Sequence, residues 1–403
     1  VALPVAGSSV EAGALPEPST WEFASSYMGE EFFARWSFFT GEDPSHGTVS
    51  YVDAATARSS GLARVSGDRI YLAAGKSPAS EGSNRRPSVR VQSGETFNGG
   101  LFVLRADHVP TGCGTWPAFW MYGEDALHVW PKWGEYDIIE GVHNQSTVMT
   151  SLHTAPSCNQ SHVLAERDFI GAWAMGTSGQ AAVNCHNLAP DQFDNQGCSQ
   201  LGPEASLGAK FNEGGGGTWA AEWDPEAGHI RTWFWPVDLE PADLSQRRPA
   251  PDAWGTPYSF FSLSPESCAP EHFRNMRLVL NINLCGDFGV DEWEHLCPDL
   301  AAKGISCPEA VDSHPELLDE AFWSIRAFDV YRRRLAPLAS STPPPTEQWP
   351  LRLWLVHGIM TLALVVSAAA LVHTVWRWHR GALPVSGAGS APRFHALATS
   401  PES

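Results

Sequence analysis

Residues 133 to 144 read WGEYDIIEGVHN and set three carboxylates, Glu135, Asp137 and Glu140, within six positions. A β-strand alternates its faces, so Glu135 and Asp137 share one side while Tyr136 and Ile138 point to the other. In an unbroken strand Glu140 would fall with the apolar set. One extra residue, a bulge near Ile139, returns it to the side of the other two acids. The expectation is a row of acids on an open face above a hydrophobic row. Like charges this crowded cannot all ionise freely, so at least one keeps its proton near neutral pH. A carboxylic acid beside a carboxylate is the equipment for cleaving a glycosidic bond. Trp116, Phe119, Trp120, Trp130 and Trp133 crowd the approach to this strand. Aromatic faces beside acids suit a sugar ring, whose C–H groups stack on them while its hydroxyls reach polar groups.

The segment GEYDIIEG is one of several blocks found in order along the chain. They are FFTGEDPSHGTVSYVD at 38–53, SVRVQS at 88–93, GCGTWPAFWMYG at 112–123, SLHT at 151–154, FNEGGGGTWAAEWD at 211–224, NINLCGDFG at 281–289 and AFWSIRAFDVY at 321–331. Together they resemble the laminarinase-type endo-β-1,3(4)-glucanases of glycoside hydrolase family 16, over roughly residues 20 to 335. The resemblance implies roles. Glu135 takes the place of the nucleophile and Glu140 that of the acid/base. Asp137 lies between them, hydrogen-bonding Glu135 and raising the pKa of Glu140 by its charge. Two carboxyls on one bulged strand are expected about 5–5.5 Å apart, the retaining geometry. His153 matches a histidine on the adjacent strand that faces the acids. Trp120 and Trp130 match aromatic platforms beside the cleavage point, and Arg90 matches a polar sugar contact. Two departures stand out: Tyr136 replaces an aliphatic on the buried face, and Phe288 stands where many relatives carry Trp, which puts one distal sugar platform in doubt.

The 403 residues carry a formal net charge of −19, with 18 % charged and 43 % apolar residues. That balance excludes nucleic acid as a partner, because phosphate binding needs Lys/Arg clusters. A neutral glucan is unaffected by an acidic surface. All eight cysteines precede residue 308 and none are spaced C-x-x-C. The pattern disfavours zinc and fits disulfides formed in an oxidising compartment, with about 105 pairings open. No cofactor and no metal are expected. Two sequons, at Asn144 and Asn159, fit secretion.

From Leu353 to Trp376 there is no Asp, Glu, Lys or Arg. As a helix this run is roughly 36 Å long, enough to cross a bilayer core. Trp354, Trp376 and Trp378 sit where interfacial aromatics belong. Arg377 and Arg380 follow the span, and a GPI signal would end sooner. The expectation is a flexible leader at 1–19, a catalytic domain at 20–335, a Pro-rich linker at 336–350, a transmembrane helix at 351–376 and a cytoplasmic tail at 377–403. The protein would be single-pass, with its catalytic domain extracellular or lumenal and the lipid bilayer as a second partner beside β-1,3- or mixed-linkage β-glucan.

Positioning the acids falls to short alternating runs: 69–73, 88–92, 101–106, 136–139, 219–223, 230–235, 278–284 and 325–331. Thirty-six Gly and thirty-one Pro punctuate them, and no long 3.6-residue period precedes residue 350. The fold class is therefore all-β, an antiparallel sandwich. The resemblance sharpens it to a concanavalin-like jelly roll with the acidic strand central in the concave sheet. Gly214–Gly217 reads as a mobile loop. Three further readings of the same cleft are a wall-remodelling transglycosylase, a non-cutting glucan receptor and a wall-structural glycoprotein. The intact acids speak against the last two.

Overall fold

Two antiparallel sheets of eight strands stack face to face in a computed structural model that describes residues 21–334. The outer sheet runs β16 (Ser259–Ser262), β15 (His229–Pro236), β14 (Gly217–Asp224), β8 (Gly100–His108), β18 (Phe322–Arg333), β5 (Arg69–Ala73) and β4 (Ala63–Ser66). Its eighth strand, β1 (Trp21–Tyr27), also pairs with β18. The other sheet runs β12 (Ala172–Trp173), β13 (Cys198–Glu204), β11 (Thr147–His153), β10 (Glu135–Glu140), β9 (Thr115–Gly123), β17 (Met276–Leu284), β7 (Arg90–Ser93) and β2 (Trp36–Phe38). A parallel pair, β3 (Val49–Tyr51) with β6 (Arg86–Ser88), completes the strands. The architecture is the expected all-β sandwich, consistent with a jelly roll, and the acidic strand β10 lies in the middle of its sheet.

The core forms where the alternating apolar residues of the two sheets meet. Trp219, Trp223 and Phe328 from one side close on Phe119, Met121, Tyr136, Leu152 and Leu280 from the other. A hydroxyl trapped there is costly without a partner. The Tyr136 hydroxyl finds one across the sandwich in Thr232 Oγ1, at 2.6 Å, so the aliphatic-to-tyrosine departure is absorbed within the core. Phe119 is 1 % exposed and belongs to this layer, not to the approach to the acids. Its neighbours on β9 alternate to the opposite side.

Two features differ from the sequence reading, and the disulfides fit it. Residues 286–313 carry four short helices, Gly286–Asp291, Trp293–Leu296, Pro298–Ala301 and Cys307–Ser313. None exceeds two turns, too short to leave a 3.6-residue period. Within Gly214–Gly217, read as a mobile loop, Gly216 and Gly217 are buried and close-packed, while Gly214 and Gly215 stay exposed: a β-carbon on Gly216 would lie 2.1 Å from the carbonyl oxygen of Ala106. All eight cysteines are paired, as Cys113–Cys297, Cys158–Cys268, Cys185–Cys198 and Cys285–Cys307. The segments read as leader, linker, transmembrane helix and tail lie outside the described residues. Among those described, no helix is long and apolar enough to cross a membrane.

Candidate active site

The register around β10 shows how the acids come to one face. Against β9, Glu135 pairs with Tyr122 and Asp137 with Trp120; the register then slips, so that Ile139 pairs with Phe119 and Glu140 with Ala118. Against β11 the partners are His153 for Glu135, Ser151 for Asp137 and Met149 for Glu140, with the same slip. Directly paired residues share a face. Tyr122, Trp120 and Ala118 are alternate residues of one strand, so Glu135, Asp137 and Glu140 stand on their side. The extra residue is absorbed at Ile138–Ile139, and both side chains stay in the core at 1 % and 0 % exposure. The bulge is braced from beneath: the carbonyl of Ile138 accepts hydrogen bonds from Thr150 Oγ1 at 3.0 Å and Tyr258 Oη at 3.4 Å.

Each glutamate has one oxygen committed to an indole. Trp130 Nε1 donates to Glu135 Oε2 at 2.8 Å, and Trp116 Nε1 donates to Glu140 Oε1 at 2.9 Å. His153, opposite Glu135, places Nε2 3.0 Å from Asp137 Oδ2 and 4.0 Å from Glu135 Oε1. Asp137 is buried, whereas Glu135 keeps 14 % of its side chain open to the cleft. Scarcity of water around the carboxyls is the first cause pushing all three pKa values up, Glu135 and Asp137 to about 8 and Glu140 to about 7. The charge of Asp137 adds to the shift of both glutamates. The cluster therefore shares protons as a unit around neutrality. The two indole N–H groups pull the other way, since each favours the charged form of its glutamate.

Glu135, Asp137 and His153 also place one potential ligand atom each within 4.8 Å of one another. That group is the acid row itself. A cation there would occupy the oxygens needed for chemistry.

Trp120 stands beside Asp137, but its indole N–H is already used, donating to Asn281 Oδ1 at 2.7 Å. The Arg90 guanidinium packs 4.9 Å from that ring's centre, 4.5 Å from Phe39 and 5.9 Å from Tyr122. Arg90 is 7 % exposed and its Nε has no hydrogen-bond partner among the described residues. The structure thus brings Glu135, Asp137, Glu140, His153, Trp120, Trp130 and Arg90 to one face. Sequence spacing does not single out Trp116 as a partner of Glu140, nor Asn281 as the anchor of Trp120. A signal was available for the first: Trp116 and Trp120 are four apart on one strand and must share a side.

Residues 36–331 match the family model described as the XgeA-like, catalytic GH16 domain. The chain belongs to glycoside hydrolase family 16. This family 16 chain is 34 % identical to an endo-1,3(4)-beta-glucanase of Arthroderma benhamiae, over 88 % of its own length and 75 % of that protein. It spans about half the length of the Aspergillus relatives it matches. Among solved structures it is similar to Laminarinase 16A from Phanerochaete chrysosporium, crystallised with 6-O-glucosyl-laminaritriose in both donor and acceptor sites. The match is 32 % identical with a TM-score of 0.67, covering 77 % of this chain and 99 % of that one. It is also similar to an elongating family 16 beta-1,3-glucosyltransferase, 30 % identical with a TM-score of 0.66, covering 77 % of this chain and all of that one. Family membership makes the protein a glycosidase.

Proposed function

We propose that this family 16 glycosidase is a retaining endo-β-1,3(4)-glucanase that cuts internal bonds of a neutral β-glucan by double displacement. The observation that carries the reading is the bulged strand, which turns Glu135 and Glu140 to one face with an indole N–H on each. Glu135 Oε1 attacks the anomeric carbon while Glu140 gives its proton to the departing glycosidic oxygen. A covalent glycosyl-enzyme results. Glu140, now ionised, takes a proton from water, which attacks the same carbon and releases Glu135. Asp137 and His153 balance charge beside the nucleophile as positive charge develops on the sugar. Trp120, Trp130 and Arg90 would contact the sugar chain. The relatives named as endo-1,3(4)-beta-glucanases support the substrate class. We further place the catalytic domain outside the cell or in a lumen, held by residues 351–376 across a membrane, with the C-terminus cytoplasmic. The charge-free run after a Pro-rich stretch supports this.

The test is release of reducing ends from laminarin by the purified chain, with the first-formed anomer followed by NMR. A β-anomer formed first fits double displacement. An α-anomer first, or binding without cleavage, contradicts it.

A transglycosylase is the second reading, favoured by the similarity to an elongating glucosyltransferase. The chemistry up to the glycosyl-enzyme is the same, and a sugar hydroxyl replaces water. Products longer than the starting oligosaccharide at high substrate concentration would select it.

A further inference from the structure

The indole that holds Glu140 has little room to move. Trp116 pairs across the sheet with Asn283, and just beyond β17 the chain turns through Cys285 and Gly286 at φ +57° and +66°. A β-carbon built on Gly286 would lie 2.6 Å from Cζ3 and 2.8 Å from Cε3 of the Trp116 ring, and 2.9 Å from the carbonyl oxygen of Ser45. The turn itself is pinned. Cys285 N–H donates to Gly114 O at 2.8 Å, Asp287 N–H to Ser45 O at 2.9 Å, and Cys285 is bonded to Cys307. Phe288 meets the indole edge-on, with ring centres 5.8 Å apart. Backbone on one side and an aromatic edge on another leave the ring lying where its N–H reaches Glu140 Oε1.

We propose that Gly286 is a positioning residue for Glu140, acting through Trp116: its bare α-carbon lets the indole lie against the turn, and from there the N–H holds one carboxyl oxygen and leaves the other for the departing glycosidic oxygen. The inference rests on Glu140 being the acid/base. Its logic is geometric. A general acid works only when its proton lies within reach of the leaving oxygen, so an oxygen held in place by a fixed donor is worth rate. Phe288 acquires a role in the same arrangement, as a lateral stop for Trp116.

A glycine at positive φ is also favoured for its backbone alone, and the test must separate the two reasons. Gly304, in the same helical segment, has φ +71° and open space around its α-carbon, so Gly304→Ala reproduces the backbone strain without touching an indole. The experiment compares Gly286→Ala, Trp116→Phe, their double variant, Gly304→Ala and Glu140→Gln on two substrates. One is laminarin. The other is a 2,4-dinitrophenyl β-laminaribioside, whose leaving group departs without protonation, read as the first release of dinitrophenolate. Gly286→Ala and Trp116→Phe should each lower kcat on laminarin about 10- to 100-fold, the scale of acid–base catalysis weakened but not removed. Both should leave dinitrophenolate release nearly unchanged. Each should also move the upper limb of the kcat/KM pH profile to higher pH, because a donor favouring the charged carboxylate is gone. Gly304→Ala should match the parent on both substrates. The double variant should fall short of additive losses and lie close to Trp116→Phe, because the added methyl then has no indole to displace and meets only the Ser45 carbonyl oxygen. That comparison stands even if Gly286→Ala by itself fails to fold. Equal losses on both substrates, additive losses in the double variant, or a Gly286→Ala protein with parental activity each overturn the proposal. If Glu140→Gln loses dinitrophenolate release as fully as laminarin cleavage, the acid/base assignment fails instead, whatever Gly286 does.

Discussion

Trp130 donates its indole N–H to Glu135 Oε2 at 2.8 Å, so one oxygen of that carboxylate is committed before any sugar enters the cleft. The other, Oε1, is the one His153 Nε2 faces from 4.0 Å. A carboxylate held by one oxygen and open at the other can attack along one direction only, which is how a fixed donor converts binding into rate. Trp116 does the same for Glu140 from the opposite end of the strand.

Replacing Trp130 with Phe keeps the ring and removes the donor. Glu135 then binds its proton more tightly, because the N–H favours the charged form. The acid limb of kcat/KM should move to higher pH, and kcat at its optimum should fall about 10-fold or more, as expected for a lost hydrogen bond to a charged group. Steady-state rates across pH check both.

Activity should decline as pH rises above neutrality, where the carboxyl cluster as a unit loses the proton that Glu140 must donate. Loss of solvent around the carboxyl raises this limb above the ordinary carboxylate range, with the charge of Asp137 adding to it. The kcat/KM profile of the parent chain reads it directly. A profile already falling by about pH 5, the range of an unperturbed glutamate, would contradict the buried cluster.

The same burial costs stability. A carboxyl whose folded pKa is raised binds protons more tightly in the native state than in the unfolded one. Folding is therefore favoured below the unfolded pKa and loses stability as pH climbs toward the folded value. For Asp137 that window runs from about 4 to about 8. Asp137→Asn should therefore raise Tm at neutral pH by several degrees while lowering activity, and the gain should vanish below about pH 4. Thermal scans at both pH values test the sign. A gain at low pH and none at pH 7 would reverse it.

How far the sequence goes is visible in the acid strand. Alternation, three acids and a pair of isoleucines suffice to place Glu135, Asp137 and a bulge, because period two admits few solutions when one face is buried. The strand runs around Val103, Trp219, Leu280 and Val330 read cleanly for the same reason. What was not legible depends on contacts between distant segments. Nothing in the spacing of Cys285 and Cys307 selects their bond over the alternatives. Side-chain type suggests Trp120 and Trp130 as platforms, but it does not reveal that their indole N–H groups reach Asn281 and Glu135. A helix of six residues such as Gly286–Asp291 is set by its neighbours, not by a repeat of its own. Gly214–Gly217 looks flexible by composition, yet at Gly216 Ala106 lies too close for a side chain.

Deleting Ile139 should show what the bulge does. Alternation then runs unbroken from Glu135 and still sets Glu140 on the acid face opposite Ala118, so the cost falls on the core, which loses a buried isoleucine worth about 2–5 kcal/mol. A Tm drop measured by calorimetry should come with activity retained in the folded protein. A folded deletion variant without activity would mean that strand alternation is not what aims Glu140.

The most direct test of the account is to find which carboxylate the sugar is joined to. A 2-deoxy-2-fluoro β-laminaribiosyl fluoride traps the glycosyl-enzyme, and peptide mapping by mass spectrometry locates the bond. The account predicts one sugar per chain, on the peptide containing GEYDIIEG, at Glu135. A label on Glu140, or inactivation-free turnover with the α-anomer formed first, would contradict it.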